Sequence, residues 1–169
     1  MDYRYIKWTQ SNQKNATATV KSGGTVYIAN GTYNENNIQI NNDMTIIGAS
    51  QINTIINGGK AAGLPETIFL IPSGVNITIQ DITIENGFSE NKGISGVGGA
   101  INNRGILTVN AITFTDNIAL LEGGAVYNTG NLNVIKCTFT NNSASLLGGA
   151  VRNNGNLIIT SANSTVILL

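Results

Sequence analysis

Histidine is missing from all 169 residues, and the chain has one cysteine and two prolines. Without histidine there is no His-based triad, no His general base and none of the common His-containing zinc sites. A single cysteine cannot close an internal disulfide. Charged side chains are equally scarce, at 11% of the chain against roughly 25% in an average globular domain. Nine Lys+Arg balance nine Asp+Glu, so the chain lacks the basic footprint that phosphate backbones require, and no nucleic-acid partner is expected. No stretch of about 18 apolar residues occurs, so no membrane insertion by this segment is expected. The opening Met1-Asp2-Tyr3-Arg4-Tyr5-Ile6-Lys7-Trp8 has no apolar run after its basic residues and does not form a signal peptide. That predicts either a cytoplasmic product or a trimmed chain.

What the chain does have is 26 Asn, 20 Gly and a 41% apolar content, and these fall into a repeat. Gly-Gly-Ala begins at Gly98, Gly123 and Gly148, and the register extends well past the triplet. Ile101, Val126 and Val151 share a column, as do Asn103, Asn128 and Asn153, then Gly105, Gly130 and Gly155. Leu107, Leu132 and Leu157 follow, with Val109, Val134 and Ile159. Phe114 matches Phe139, Asn117 matches Asn142, and Ala119 matches Ala144.

Inside each unit apolar residues alternate over short runs, as in Leu107-Thr108-Val109 and Cys137-Thr138-Phe139. A period of two over three to five residues indicates half-buried strands. Gly and Asn punctuate the gaps where the chain must turn. A unit this small cannot bury its own apolar face, but stacked copies form one continuous core. The expected fold is therefore all-β, a right-handed parallel β-helix of about six coils, its handedness following the crossover rule. At a rung spacing of about 4.8 Å the rod is roughly 30 Å long. The division expected is an N-terminal cap segment over 1–22, with a short helix at Asn15–Lys21 and Ile6 and Trp8 packed nearby, and a β-helix domain over 23–169. Upstream spacing is irregular, placing loops at Lys60–Glu66 and Glu90–Val97. The apolar end Thr165–Leu169 is expected to be a cut array or to associate end to end with a partner.

Each conspicuous feature has a structural explanation at hand. The Asn columns can pass amide hydrogen bonds from rung to rung. Cys137 shares a column with Ile82 and Ile112 and should point inward as a small hydrophobe. Gly58-Gly59-Lys60-Ala61 lacks the spacing and the Ser/Thr of a phosphate loop. Gly123–Asn128 resembles a calcium-binding nonapeptide, but Val126 and Asn128 stand where that pattern needs Gly and Asp. For polysaccharide chemistry the candidates are Asp81, Glu85, Asp116 and Glu122, with Lys136 and Arg152. Their columns hold Ala111 and Lys136, Thr115 and Thr140, Asn141, and Leu147 respectively, so carboxylates do not stack as glycoside hydrolysis or metal-assisted elimination would require. No catalytic, cofactor or metal residue is assigned. Thr113, Thr115, Thr138 and Thr140 form outward Thr-x-Thr pairs on two coils, a small patch of the kind that could meet ice or another crystalline surface.

With the columns laid out, a family resemblance appears. Gly-Gly-Ala-Ile at 98–101 and Gly-Gly-Ala-Val at 123–126 and 148–151 resemble one repeat motif of the chlamydial polymorphic outer-membrane proteins. Phe114-Thr115-Asp116-Asn117 and Phe139-Thr140-Asn141-Asn142 resemble the other, Phe-x-x-Asn. The chain is also similar to adhesin-like surface proteins of methanogenic archaea, and Ser22–Tyr33 with Met44–Gly48 resembles the start of their pectin-lyase-like β-helix. The resemblance implies a non-catalytic adhesin-like rod at the cell surface or secreted, whose loops meet carbohydrate or a host or partner-cell surface. Two alternatives stay open, a polysaccharide lyase or hydrolase on the same fold and the Thr-patch surface binder.

Overall fold

The computed structural model describes residues 17–59, 66–90 and 96–160, together with the backbone of 5–8. Alternating apolar residues became strands, and the strands pair in parallel with their equivalents one turn away. The longest ladder runs β1 (Tyr5–Trp8), β2 (Gly24–Ile28), β5 (Met44–Gly48), β8 (Asn76–Glu85), β11 (Ile106–Thr115), β14 (Asn131–Ile135) and β18 (Asn156–Thr160). β3 (Gly31–Asn34), β6 (Thr54–Asn57) and β15 (Thr138–Thr140) extend this sheet past a bend, beside the second halves of β8 and β11. A second sheet stacks β4 (Ile38–Gln39), β7 (Phe69–Ile71), β10 (Ile101–Asn103), β13 (Val126–Asn128) and β17 (Val151–Asn153). A third holds β9 (Phe88–Ser89), β12 (Ile118–Ala119) and β16 (Ser143–Ala144). This is a right-handed parallel β-helix of several coils.

The register is the one the columns predict. Leu107 pairs with Leu132 and Val109 with Val134, then Leu132 with Leu157. Upstream, Leu107 pairs with Ile77 and Phe114 with Ile84. The ladder begins earlier than the repeat does, because β1 pairs with β2 from Tyr5 opposite Thr25 to Trp8 opposite Ile28. Backbone pairing needs only amides and carbonyls, so a non-repeating segment can add a rung that no column announces. Residues 17–19 are helical, with Thr17 and Val20 buried. Asn15, Ala16, most of both expected loops (60–65 and 91–95) and the expected self-association segment Thr165–Leu169 lie outside the described residues.

Inward columns fill the core. Ile79, Val109 and Val134 are at most 1% exposed, as are Ile84, Phe114 and Phe139. Each such side chain contributes on the order of 1.5–3 kcal/mol on burial. Phe114 and Phe139 stack with ring centroids 4.8 Å apart and planes 10° from parallel, which is the rung repeat expressed in aromatic packing. Cys137 is fully buried, and burial pushes its thiol up to about 11.

Two polar ladders run beside the core. Asn103 Nδ2 donates to Asn128 Oδ1 at 2.6 Å, and Asn128 Nδ2 to Asn153 Oδ1 at 2.6 Å. On another corner Asn117 Nδ2 donates to Asn142 Oδ1 at 2.9 Å and to Ile84 O at 3.0 Å. Asn117 Oδ1 in turn accepts from the Gly87 amide at 2.8 Å. The corners leave backbone groups without strand partners, and the amides satisfy them while tying one coil to the next.

Both glycines of the Gly-Gly-Ala corner have separate causes. Gly123 sits at φ 67°, a left-handed conformation that L side chains rarely adopt. Gly124 leaves no room for a side chain, since a Cβ there would lie 2.1 Å from Gly149 O on the next coil.

Candidate functional site

The candidate carboxylates were picked as charged residues on regular coils, and the backbone explains two of them. Each of three successive coils, from β8 onward, turns sharply at two non-glycine corners. The first is held by Asp81, Ala111 and Lys136 at φ 58°, 51° and 50°, the second by Asn86, Asp116 and Asn141 at φ 54°, 55° and 54°. Asn and Asp are the residues that best tolerate the left-handed conformation. Asp81 and Asp116 therefore stand where the chain needs a corner residue, and their chemistry is not required to account for their presence.

Their partners are local. Asp81 Oδ2 accepts from Gln80 Nε2 at 3.0 Å, and Asp116 Oδ2 accepts from Thr115 Oγ1 at 3.0 Å. Glu85 Oε1 accepts from Asn57 Nδ2 on the preceding coil at 3.0 Å. Asp81 and Glu85 are four positions apart on one strand, roughly 13 Å if fully extended, whereas paired glycosidase carboxyls stand about 5–9.5 Å apart. Asp116 follows Thr115, the register partner of Glu85, but each of the two carboxylates is held by a different donor on a different coil. The structure does bring Glu122 and Arg152 together, with Nε 3.4 Å from Oε2. Both are partly exposed, at 23% and 29%, and such pairs contribute little to stability. Lys136 stands apart from them, at the first corner. Among the described residues no group of three or more His, Cys, Asp or Glu could hold a metal ion.

The threonine patch is in register, Thr113 opposite Thr138 and Thr115 opposite Thr140. It is not a free array of hydroxyls. Thr113 Oγ1 accepts from Gln51 Nε2 at 3.1 Å and Thr115 is bonded to Asp116. On the preceding coil the equivalent Thr83 is buried and donates to Gln51 O at 2.7 Å.

Sequence reasoning passed over a different place. A groove of about 250 Å³ lies on the outer face of the second sheet, lined by Gln39, Asn41, Leu70, Pro72, Asn102 and Arg104 among others. These residues come from three successive coils whose spacing is irregular, so no 25-residue column reveals them. The signal that finds them is the strand register, Gln39 beside Leu70 and Leu70 beside Asn102.

Among the described residues no helix is long and apolar enough to cross a membrane. Compared with known proteins, the family model of the Chlamydia polymorphic membrane protein (Chlamydia_PMP) repeat matches residues 111–129 and 136–154. Each match opens on a left-handed corner, Ala111 or Lys136, and runs through the outward Thr strand, the Asn ladder and the Gly-Gly-Ala corner into the second sheet. No curated protein and no solved structure matches the chain. Sequence columns, coil geometry and family match coincide, and the chain is a right-handed parallel β-helix with two successive segments similar to the Chlamydia polymorphic membrane protein repeat.

Proposed function

We propose that the chain is a non-catalytic segment of an adhesin-like protein that works at the cell surface or after secretion, a stiff rod that holds binding groups at a fixed distance. In this reading residues 1–22 cap the rod while adding one rung to it through Tyr5–Trp8, and 23–169 form the rest. Its partners are carbohydrates or other groups on a host or partner-cell surface. The observation that carries the reading is the uniform register from Leu107 through Leu132 to Leu157, with carboxylates dispersed over different columns. Coils built as copies of one another suit a scaffold, and among the described residues each candidate carboxylate is held by its own local partner. The connection between β9 and β10 is longer than its counterpart between β12 and β13, and insertions on a rigid frame are where binding usually resides.

Two assays test this together. The purified chain is incubated with acidic and neutral polysaccharides and scored for new reducing ends or unsaturated products. In parallel, the chain immobilised on beads is scored for retention of cells or of cell-wall polysaccharide. Retention without turnover is expected. Turnover that disappears in Asp81→Asn or Asp116→Asn would replace the adhesive reading with an enzymatic one.

A further inference from the structure

The geometry points to a binding site for a single carboxylate-bearing sugar unit in the groove on the outer face of the second sheet. The inference rests on the adhesive reading above and deepens it, naming a ligand class and placing the contact on the sheet face.

The groove is a grid of three rows and two columns. Gln39, Leu70 and Asn102 form one column by strand register. Asn41, Pro72 and Arg104, each two residues further along, form the other. Polar rows therefore flank an apolar row, and the outer rows stand about 10 Å apart at two rung spacings. The middle row ends on Pro72, which is short and offers no side-chain donor, so the surface dips there. The resulting volume of about 250 Å³ is below the roughly 300–1,000 Å³ of sites for drug-sized ligands, which fits one ring better than a long segment.

The polar rows are unused. Among the described residues the side-chain amides of Gln39, Asn41 and Asn102 have no hydrogen-bond partner, and Arg104 has no acidic one. Asn102 is only 8% exposed, and its Oδ1 is sealed from solvent with no partner. A buried amide left unpaired is costly, and Asn102 lines the groove. No carboxylate lines the groove, so Arg104 sets a positive field there. A guanidinium recognises a carboxylate through paired N–H donors. Side-chain amides carry donors and an acceptor at once, which matches ring hydroxyls. Leu70 and Pro72 supply the apolar floor for the C–H face of a ring. A peptide is less well served at the centre of the groove, because β7 and β10 are already paired on both sides within the sheet and, of the groove's strands, only β4 ends it.

The test is saturation-transfer NMR on the full chain with sodium glucuronate, glucose and inorganic phosphate at millimolar concentration, with circular dichroism to verify folding of each variant. Glucuronate should bind the unmodified chain, and glucose on the order of tenfold more weakly. Arg104→Gln should weaken glucuronate by about the same factor and leave glucose unchanged. Asn102→Leu should abolish both while raising Tm, because it removes the orphaned amide. Absence of glucuronate binding, glucuronate binding unchanged in Arg104→Gln, or phosphate competing as well as glucuronate would overturn the site. The two proposals fail separately. Retention of cells by a chain that ignores glucuronate removes the site and leaves the adhesive reading, whereas Arg104-dependent glucuronate binding with polysaccharide turnover does the reverse.

Discussion

Asn128 is the sharpest place to test whether the polar ladders hold the coils together. Its side chain is fully buried. Nδ2 donates to Asn153 Oδ1 at 2.6 Å, to Asn156 O at 3.0 Å and to Gly130 O at 3.2 Å, while Oδ1 accepts from Asn103 Nδ2 at 2.6 Å. Asn128→Asp keeps the shape and the bond from Asn103 but turns an oxygen toward three oxygens. An ionised carboxylate there is buried without a cation, at a cost of about 3–5 kcal/mol. Protonation returns one donor and reduces the cost to about 1–2 kcal/mol, that of the bonds still missing. The folded-state pKa of the new carboxyl is thus raised above its unfolded value, the native state holds the proton more tightly, and the variant is best preserved at acid pH. Its deficit relative to the parent chain must grow as pH rises through the folded pKa. Urea unfolding of both proteins at pH 4 and pH 7 measures this. A chain of this size shifts by roughly 2–4 °C per kcal/mol, so the thermal midpoint at pH 7 should fall by roughly 6–20 °C. Asn153→Asp is the internal control, because Asn153 is half-buried and its Nδ2 donates to Gly155 O at 2.9 Å. It should cost clearly less. Equal penalties for the two variants, or a penalty at Asn128 that does not change with pH, would refute the ladder as a stabilising element.

Three further outcomes follow from the corners and the core. Lys136→Gly relieves a left-handed corner at φ 50° and should raise the urea midpoint by the equivalent of about 0.5–1 kcal/mol, the strain released less the entropy glycine adds to the unfolded chain; a lower midpoint would show that the lysine itself contributes more than the corner costs. Gly124→Ala places a Cβ 2.1 Å from Gly149 O and should cost about 3 kcal/mol, while Gly149→Ala meets only Asn142 O at 3.6 Å and should cost under about 1 kcal/mol; similar losses would mean that rung-to-rung approach is not the reason for the second glycine. The Cys137 thiol, pushed from near 9 to about 11 mainly by burial, favours its protonated form in the folded state. Stability should decline between pH 9 and pH 11 by up to about 1.4 kcal/mol per pH unit from this group, a slope that Cys137→Val should reduce in urea titrations to what Tyr33, raised by its own burial, contributes.

The regular half of the fold was legible because its physics is repetitive. A column such as Leu107, Leu132 and Leu157 states period, register and burial together, and Phe114 over Phe139 follows from the same spacing. The Asn ladders were legible for a related reason, since an amide repeated at each coil has its own kind as the nearest partner. The first rung was not, because β1 is joined to β2 through backbone groups that leave no trace in side-chain identity. The left-handed corners were visible only in part. Asn86, Asp116 and Asn141 look like corner residues, but Ala111 and Lys136 occupy the column of Asp81 with nothing in their chemistry to announce it. The candidate carboxylates were set aside in the sequence because they do not stack, but the reason for their presence was not legible: Asp81 and Asp116 satisfy a backbone requirement that charge does not reveal. The groove was missed because the coils that form it differ in length.

That last point bears on where function can sit in such a molecule. In the regular coils the inward positions repeat, as in Leu107, Leu132 and Leu157, while the outward ones vary, as in Thr108, Asn133 and Ile158. A concave site needs a short residue between two long ones, which means successive coils must differ in the same column. Beside the column of Gln39, Leu70 and Asn102, the second sheet meets this condition in the column where Pro72 lies between Asn41 and Arg104. Further along, the first of these columns continues with Tyr127 and Arg152. Both are long, and each has a neighbour to engage, the Tyr127 hydroxyl accepting from Asn154 Nδ2 at 3.2 Å and Arg152 facing Glu122. Repetition supplies the rod's core and its stiffness, and the regular coils carry a cleft of their own, about 580 Å³ and lined among others by Ile106, Thr108, Asn133 and Ile158. What sets the smaller groove apart is that a guanidinium without an acidic partner, Arg104, stands beside the unpartnered amide of Asn102, and that pairing is the physical reason to look for the ligand there.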